Sequence, residues 1–368
     1  MKKKKVLVIC NNLTRPAINM SGIAAIHVLL VELSKQQDLD IHVLSSLSSS
    51  SKPVVDTHNL TFHYVSGGNL LWIRILFFIK AIFLHRKFKF EIIHDYSSLP
   101  VLIGITGILA KLCKCKALHT ICTINTSFFG SERFLFGART VSHIICTDLI
   151  TKKRLSEKTK NVTYIPLGID TKKFQVQQQG ILERPSILFL GSLEERKGAF
   201  VLADAIYHVV ESYPQIMFIF ASFGKEVRDP YYSKNLEDLK ARTQSVSKNI
   251  KILTGWQNVA QLLNTASIFV LPAVSRHGTL GQPLTLIEAM SSKTPCIVSD
   301  IQKGDGLVGG DKNCLLFKSG NSKDLAEKIT HILSNSDVAN KLADTAYNTI
   351  MRDFDLQIVA KKVYNLYL

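Results

Sequence analysis

An α/β fold of two doubly wound units is predicted by three features of this sequence. Short strand-like apolar runs alternate with stretches that are apolar at helical spacing, the pattern occurs twice, and a polar, glycine-bearing segment from Gln175 to Pro185 separates the two occurrences. The chain has 368 residues, 46% of them hydrophobic; single cores stop growing near ~250–300 residues, so two globular domains are expected and disorder is excluded. In the first half the strand-like runs are Val6 to Cys10, Ile41 to Leu44, Phe62 to Val65, Ile92 to His94, His119 to Ile124 and His143 to Cys146. A helix is expected from Ile23 to Leu33, opening after Ser21-Gly22. In the second half the runs are Ile187 to Leu190, Ile216 to Phe220, Ile250 to Leu253, Ile268 to Leu271 and Cys296 to Val298.

The segment from Phe269 to Asp300 carries the most chemistry. It reads as a buried strand, a glycine-containing loop, a short helix opening at Pro283 and a second strand. A loop feeding a helix N-terminus offers unpaired N–H groups and the positive end of a dipole, which suits a phosphate. Helical side chains lean back toward the N-terminus, so Glu288 is placed to reach a ribose diol beside that phosphate. Diphosphate and sugar hydroxyls together mean a nucleotide or a nucleotide-sugar.

Charge and cysteine usage narrow the setting. The excess of 45 Lys and Arg over 29 Asp and Glu gives a net charge of +16, which favours anionic partners such as nucleotides, acidic lipids or nucleic acid without choosing among them. With a nucleotide site read from Phe269 to Asp300, nucleic acid is not the expected partner. Lys2 to Lys5 followed by Val6 to Cys10 has an apolar run too short for a signal peptide, and seven cysteines fit a reducing compartment, so a cytoplasmic protein is expected. Cys113, Cys115, His119 and Cys122 lack a usual zinc spacing, and the cysteines are read as ordinary buried thiols. Gly304 to Gly309 formally matches G-x-G-x-x-G, but the following Gly310-Asp311-Lys312-Asn313 reads as loop, and the helix is part of that fingerprint's mechanism. Leu70 to Phe90 is the most apolar stretch and ends in a basic cluster; Arg74 and Lys80 interrupt it, against the ~20 apolar residues a span requires. It is read as a core helix of the first unit, with an anionic membrane surface as the second reading and a peripheral place at the inner face of the cell membrane as its consequence.

Several stretches, taken in order, resemble the retaining glycosyltransferases of family 4. Leu271-Pro272, Gly281, Glu288-Ala289-Met290-Ser291 and Thr294 to Asp300 follow that family's C-terminal signature. Glu91 to His94, Val141 to Cys146, Tyr164 to Asp170 and Thr254-Gly255-Trp256 match further family segments. Phe189 to Gly198 resembles the family's strand and loop whose Arg and Lys hold the leaving diphosphate: Lys197 and Gly198 match, while Ser192 stands for the Arg. Two other departures are Leu280, in place of the family's first Glu, and Asn125, where a His often ends an N-terminal strand.

The resemblance implies the GT-B fold: two facing Rossmann-like domains, residues 1–168 on the acceptor side and 169–350 on the nucleotide-sugar side, with residues 351–368 forming a C-terminal helix that crosses back. It implies retaining transfer from a nucleoside diphosphate sugar to a polysaccharide or lipid-linked glycan acceptor, by front-face substitution in which the leaving phosphate takes the acceptor proton. No metal or cofactor is implied. Lys197 and Arg196 would stabilise the diphosphate, and Asn125 would contact the sugar. Gly22, Ser192, Gly255, Trp256, Gly281, Leu284 and Glu288 would complete the donor site. A nucleotide-sugar epimerase or hydrolase and a non-catalytic nucleotide-sugar-binding subunit are the alternatives. Specificity is expected to arise around His277 to Gln282.

Overall fold

Strands buried along nearly their whole length cannot lie at the edge of a solvated antiparallel sheet, and in this protein they form two parallel sheets. The computed structural model describes residues 3–14, 21–48, 51–57, 59–66, 70–96, 103–122, 132–175, 184–222, 231–255, 257–276 and 281–368. Two units are distinguished: Met1–Ile169 with His277–Leu284 and Phe354–Leu368, and Asp170–Arg276 with Thr285–Asp353.

The first unit holds seven strands: β1 (Lys4–Ile9), β2 (Leu39–Leu47), β3 (Leu60–Ser66), β4 (Ile92–Asp95), β5 (Lys116–Ile121), β6 (His143–Cys146) and β7 (Val162–Tyr164). Their order is β3-β2-β1-β4-β5-β6-β7, all pairs parallel. The connecting helices are α1 (Ser21–Leu33), α2 (Leu70–Phe88), α3 (Ile103–Cys113), α4 (Glu132–Ala138) and α5 (Leu149–Ser156). One core joins Leu7, Ile93 and Ile144 of the strands to Phe77 and Leu84 of α2, Leu109 of α3 and Phe134 of α4. Asp148 caps α5 by accepting from the Thr151 amide at 2.9 Å, one of the donors a helix start leaves unpaired.

The second unit holds β8 (Ser186–Leu190), β9 (Met217–Ser222), β10 (Ile250–Thr254), β11 (Ile268–Leu271), β12 (Cys296–Ser299) and β13 (Leu315–Phe317), in the order β10-β9-β8-β11-β12-β13. Its helices are α6 (Ala199–Ser212), α7 (Tyr232–Arg242), α8 (Val259–Thr265), α9 (Leu284–Ser291), α10 (Ser322–Ser334) and α11 (Ser336–Asp353). Phe189, Phe218 and Phe220 of the sheet pack with Leu202 and Ile206 of α6 and Ile329 of α10. The glycine run from Gly304 to Gly310 forms turns with left-handed backbone at Gly304, Gly306 and Gly310 and no helix, in line with discounting it as a dinucleotide fingerprint.

At Phe354 the chain rejoins the first unit, where α12 (Leu356–Tyr367) packs on α1. The Ile169 amide donates to the Phe354 carbonyl at 3.1 Å, and the Leu356 amide returns a bond to Ile169 at 2.9 Å. Gly168 is glycine for a packing reason: a Cβ there would sit 3.0 Å from Val359. Tyr367 is fully buried, its hydroxyl 2.8 Å from His94 Nδ1, which gives the last turn of α12 a specific seat.

Candidate functional site

In an open parallel sheet, ligands gather beyond the carboxyl ends of the strands where the chain's winding direction reverses. In the second unit that place lies between β8 and β11, and the sequence puts its charged residues there. Gly191 follows the last residue of β8, and its amide donates to the Ala221 carbonyl at 3.1 Å. After Ser192, Leu193 and Glu194, a single 3-10 turn (Glu195–Lys197) leads through Gly198 into α6. Gly198 has φ +78°, and a Cβ on it would lie 1.7 Å from the Pro272 carbonyl oxygen just past β11. Both the left-handed backbone and the close approach demand glycine. The Arg196 carbonyl accepts from the amides of Val274 at 3.0 Å and Ser275 at 3.4 Å. The β8 loop and the β11 exit are thus fastened to one another.

Within that loop Glu194 organises the polar groups. Its carboxylate accepts from Ser192 Oγ at 2.9 Å and from Arg196 Nε. Burial pushes its carboxyl up, but bonds from Arg196 and Ser192 and the charges of Arg196 and Lys197 prevail and hold it below the ordinary value. Arg196 Nη1 is buried with no hydrogen-bond partner among the described residues. Burial lowers the pKa of Lys197, neighbouring Arg196 lowers it further, and Glu194 works in the opposite sense. Glu194 and the exposed Glu195 equal Arg196 and Lys197 in number, but Glu194 is paired with Arg196, and Lys197 makes no ion pair among the described residues. Glu194 was not singled out in the sequence; Ser192, Glu194 and Arg196 alternate within a loop, where no periodic pattern marks a shared carboxylate.

Glu288 lies on α9, half-buried between the buried Ile287 and Ala289. Burial pushes its carboxyl up to about 8, so at neutral pH it is mainly protonated and can both donate to and accept from vicinal hydroxyls. Leu284, the first residue of α9, turns its side chain into the core, leaving its backbone as the part able to meet a ligand. Gly255 ends β10 with φ +80°. Ser192, Arg196, Lys197, Gly255 and Glu288 are all in the second unit.

The remaining expected residues fall in the first unit or outside the described residues. Gly22 is in the first turn of α1. Gly281 donates its amide to the Cys122 carbonyl at 3.1 Å, and a Cβ on it would come within 2.6 Å of Asp148 Oδ2. Its missing side chain therefore makes room for the capping carboxylate of α5, a reason for glycine that the sequence did not reveal. Asn125, Trp256 and Leu280, with His277 to Leu280 of the expected specificity segment, lie outside the described residues. Cys113, Cys115, His119 and Cys122 do not converge: among the described residues no three His, Cys, Asp or Glu side chains gather at metal-binding distance.

Residues 184–335 match the family model described as Glycosyl transferases group 1. An Escherichia coli protein named UDP-Gal:alpha-D-GlcNAc-diphosphoundecaprenol alpha-1,3-galactosyltransferase is 23% identical, over 95% of this chain and 94% of its own. A phosphatidyl-myo-inositol mannosyltransferase of Mycobacterium tuberculosis is 24% identical, over 89% of this chain and 88% of its own. Among solved structures, HepE of Anabaena in complex with UDP aligns with a TM-score of 0.76 at 16% identity, covering 98% of this chain and 99% of that one. The architecture of two Rossmann-like units is that of the GT-B fold.

Proposed function

We propose, from the premise that this chain is a group 1 glycosyltransferase, that it moves a hexosyl group from a uridine diphosphate sugar to a lipid-linked glycan, with retention and without a metal. The observation that carries the donor assignment is the loop from Gly191 to Gly198, where one carboxylate holds one of two cations at the switch point of the second sheet. The E. coli relative, named for a UDP-sugar and a diphosphoundecaprenol-linked acceptor, supports the choice of base and of acceptor class.

In this reading the acceptor hydroxyl attacks the sugar's anomeric carbon from the side the diphosphate leaves. The bond from that carbon to the phosphate oxygen breaks, the bond to the acceptor oxygen forms, and the acceptor's proton passes to the departing diphosphate. Lys197, with Arg196 beside it, stabilises the charge that grows on the leaving oxygen; in a partly buried loop such a cation acts more strongly than in water. Glu288 binds the ribose hydroxyls, and Gly255 and Trp256 serve the base. Asn125 contacts the transferred sugar as a hydrogen-bonding group that does not exchange protons near neutral pH. Gly22 admits the donor's phosphates to the backbone. The apolar helix α2 brings the enzyme toward the membrane that holds a lipid-linked acceptor.

Incubation with UDP-, GDP- and ADP-sugars, with and without a membrane lipid extract, tests this. Release of UDP that depends on the extract is the expected outcome. A changed sugar without acceptor, or UDP-sugar binding without turnover, would replace the transferase reading of the site with an epimerase or a binding subunit.

A further inference from the structure

We propose that the outer faces of α2, α3 and α4 form one continuous surface that docks on an anionic lipid bilayer. The proposal deepens the reading of α2 just given, and it does not depend on the donor site. Helix α2 is apolar on both sides. Phe77, Ala81 and Leu84 face the core, while Trp72, Ile75, Ile79 and Phe83 are exposed to 59%, 40%, 59% and 61%. Their spacing of three, four and four residues places them on one outward stripe.

The same arrangement recurs on α3. Ile103, Leu109 and Ala110 are buried, and Ile105, Ile108 and Leu112 are exposed to 43%, 47% and 63%. Helix α4 lies against α3 with almost no space between them. A Cβ on Gly137 would come within 2.6 Å of the Gly104 backbone nitrogen, and one on Gly107 within 1.8 Å of Thr140 Oγ1. Phe136, the neighbour of Gly137 in α4, is 66% exposed. Other exposed large apolar side chains among the described residues, such as Val55, Tyr231 and Ile358, fall on separate elements, as on any soluble surface. A band shared by three adjacent helices is a different matter.

Charge selects the occupant. Neither α2 nor α3 contains an Asp or Glu, and α4 has one, Glu132, at its first position. Lys80, Arg86, Lys87 and Lys111 lie on these helices, Lys89 and Lys114 follow their last turns, and Arg139 follows α4. Lys80 Nζ is 5.8 Å from the centre of the exposed Phe83 ring, so cation and ring share one patch. A second copy of this chain, also at +16, would meet the patch with like charge. Hydrocarbon beneath anionic headgroups satisfies both its apolar and its cationic parts. No helix among the described residues is long and apolar enough to cross a membrane, so the contact is one of resting on the surface.

Co-sedimentation of the full chain with vesicles of phosphatidylcholine, alone or mixed with phosphatidylglycerol, tests the proposal. Partition into the mixed vesicles should be about tenfold stronger and should weaken as salt is raised. The exposed pair Phe83→Ser with Leu112→Ser should reduce it about tenfold while leaving far-UV circular dichroism and UDP affinity unchanged. With Trp256→Phe, the remaining tryptophan, Trp72, should shift its emission to the blue when vesicles are added. Equal binding to both vesicles, no effect of the double variant, or a protein that self-associates through this face and ignores vesicles would overturn the assignment. Vesicle binding in a protein that fails to bind UDP supports the face and counts only against the donor site.

Discussion

The two sheets reverse their winding in the same way, β1 beside β4 in the first unit and β8 beside β11 in the second, yet the chemistry beyond those strands is opposite. At the end of β4, Asp95 accepts from Thr106 at 2.7 Å and its carboxyl is pushed up to about 7 by burial, against the pull of that bond and of Arg74. His94 and His119 are pushed down to about 3 by burial and stay neutral. Ile9, Phe77 and Leu109 line the small pocket there together with Asn11 and Arg74. At the end of β8 the groups are Glu194, Glu195, Arg196 and Lys197, with Arg196 paired to Glu194 and a glycine that brings the loop against β11. Topology marks where a ligand can sit in each unit; in the proposed reading the second takes a diphosphate beside Lys197, while the first turns apolar helices outward.

The comparison breaks most readily at Lys197. Lys197→Ala should lower acceptor-dependent release of UDP by about a thousandfold in kcat/KM, the scale of losing one group aimed at developing charge; a rate near wild type would remove the cation from the account. Gly198→Ala forces a side chain into a left-handed backbone and against the Pro272 carbonyl, at a cost of roughly 3 kcal/mol measured by denaturant unfolding. An unchanged midpoint would mean that the two loops are not fastened together. Glu288→Gln keeps shape and one donor, so the expected effect is smaller: KM for the donor rises about tenfold with kcat nearly constant. A fall confined to kcat would move Glu288 from ribose binding to the reaction itself.

A pH series gives the smallest expected effect and sharpens the same contrast. Glu288 and Asp95 both have raised folded-state pKa values, to about 8 and about 7, against ordinary values of 4.5 and 3.8. Each binds more protons folded than unfolded in between, so each contributes stability that is fully present below its ordinary value and is lost as pH rises through the folded one. The melting temperature of Glu288→Gln, relative to wild type, should therefore climb from pH 5 to pH 8. Asp95→Asn should show the same climb, ending about one pH unit earlier. A difference that is flat across this range would contradict the desolvation of either carboxyl.

Much of this contrast was readable in the sequence, and the parts that were not share a cause. Buried strands such as Ile187–Leu190 and Ile268–Leu271 are continuous apolar runs bounded by polar residues, so alternation alone identified them. The three-residue edge strands Val162–Tyr164 and Leu315–Phe317 are too short to carry a pattern. The strand expected from His119 to Ile124 begins earlier, at Lys116, because its pairing with β4 starts there opposite Ile92, while Thr123 and Ile124 lie outside the described residues. Lys197 and Gly198 stood out by motif. Glu194 and the contact of Gly281 with Asp148 did not, since each depends on residues brought together only by loops or by distant segments. The outward stripe of α3 was hidden for another reason: Ile105, Ile108 and Leu112 have the spacing of a core face, and only packing tells which face is inside.

The central claim is that the β8 loop of the second unit binds a diphosphate. Calorimetric titration of UDP and of uridine into wild type and Lys197→Ala tests it most directly. The account predicts that UDP binding weakens by about ten- to a hundredfold in the variant while uridine binding is unchanged, as expected for loss of a charge-assisted contact to phosphate. Equal weakening of both ligands, or none, would contradict it.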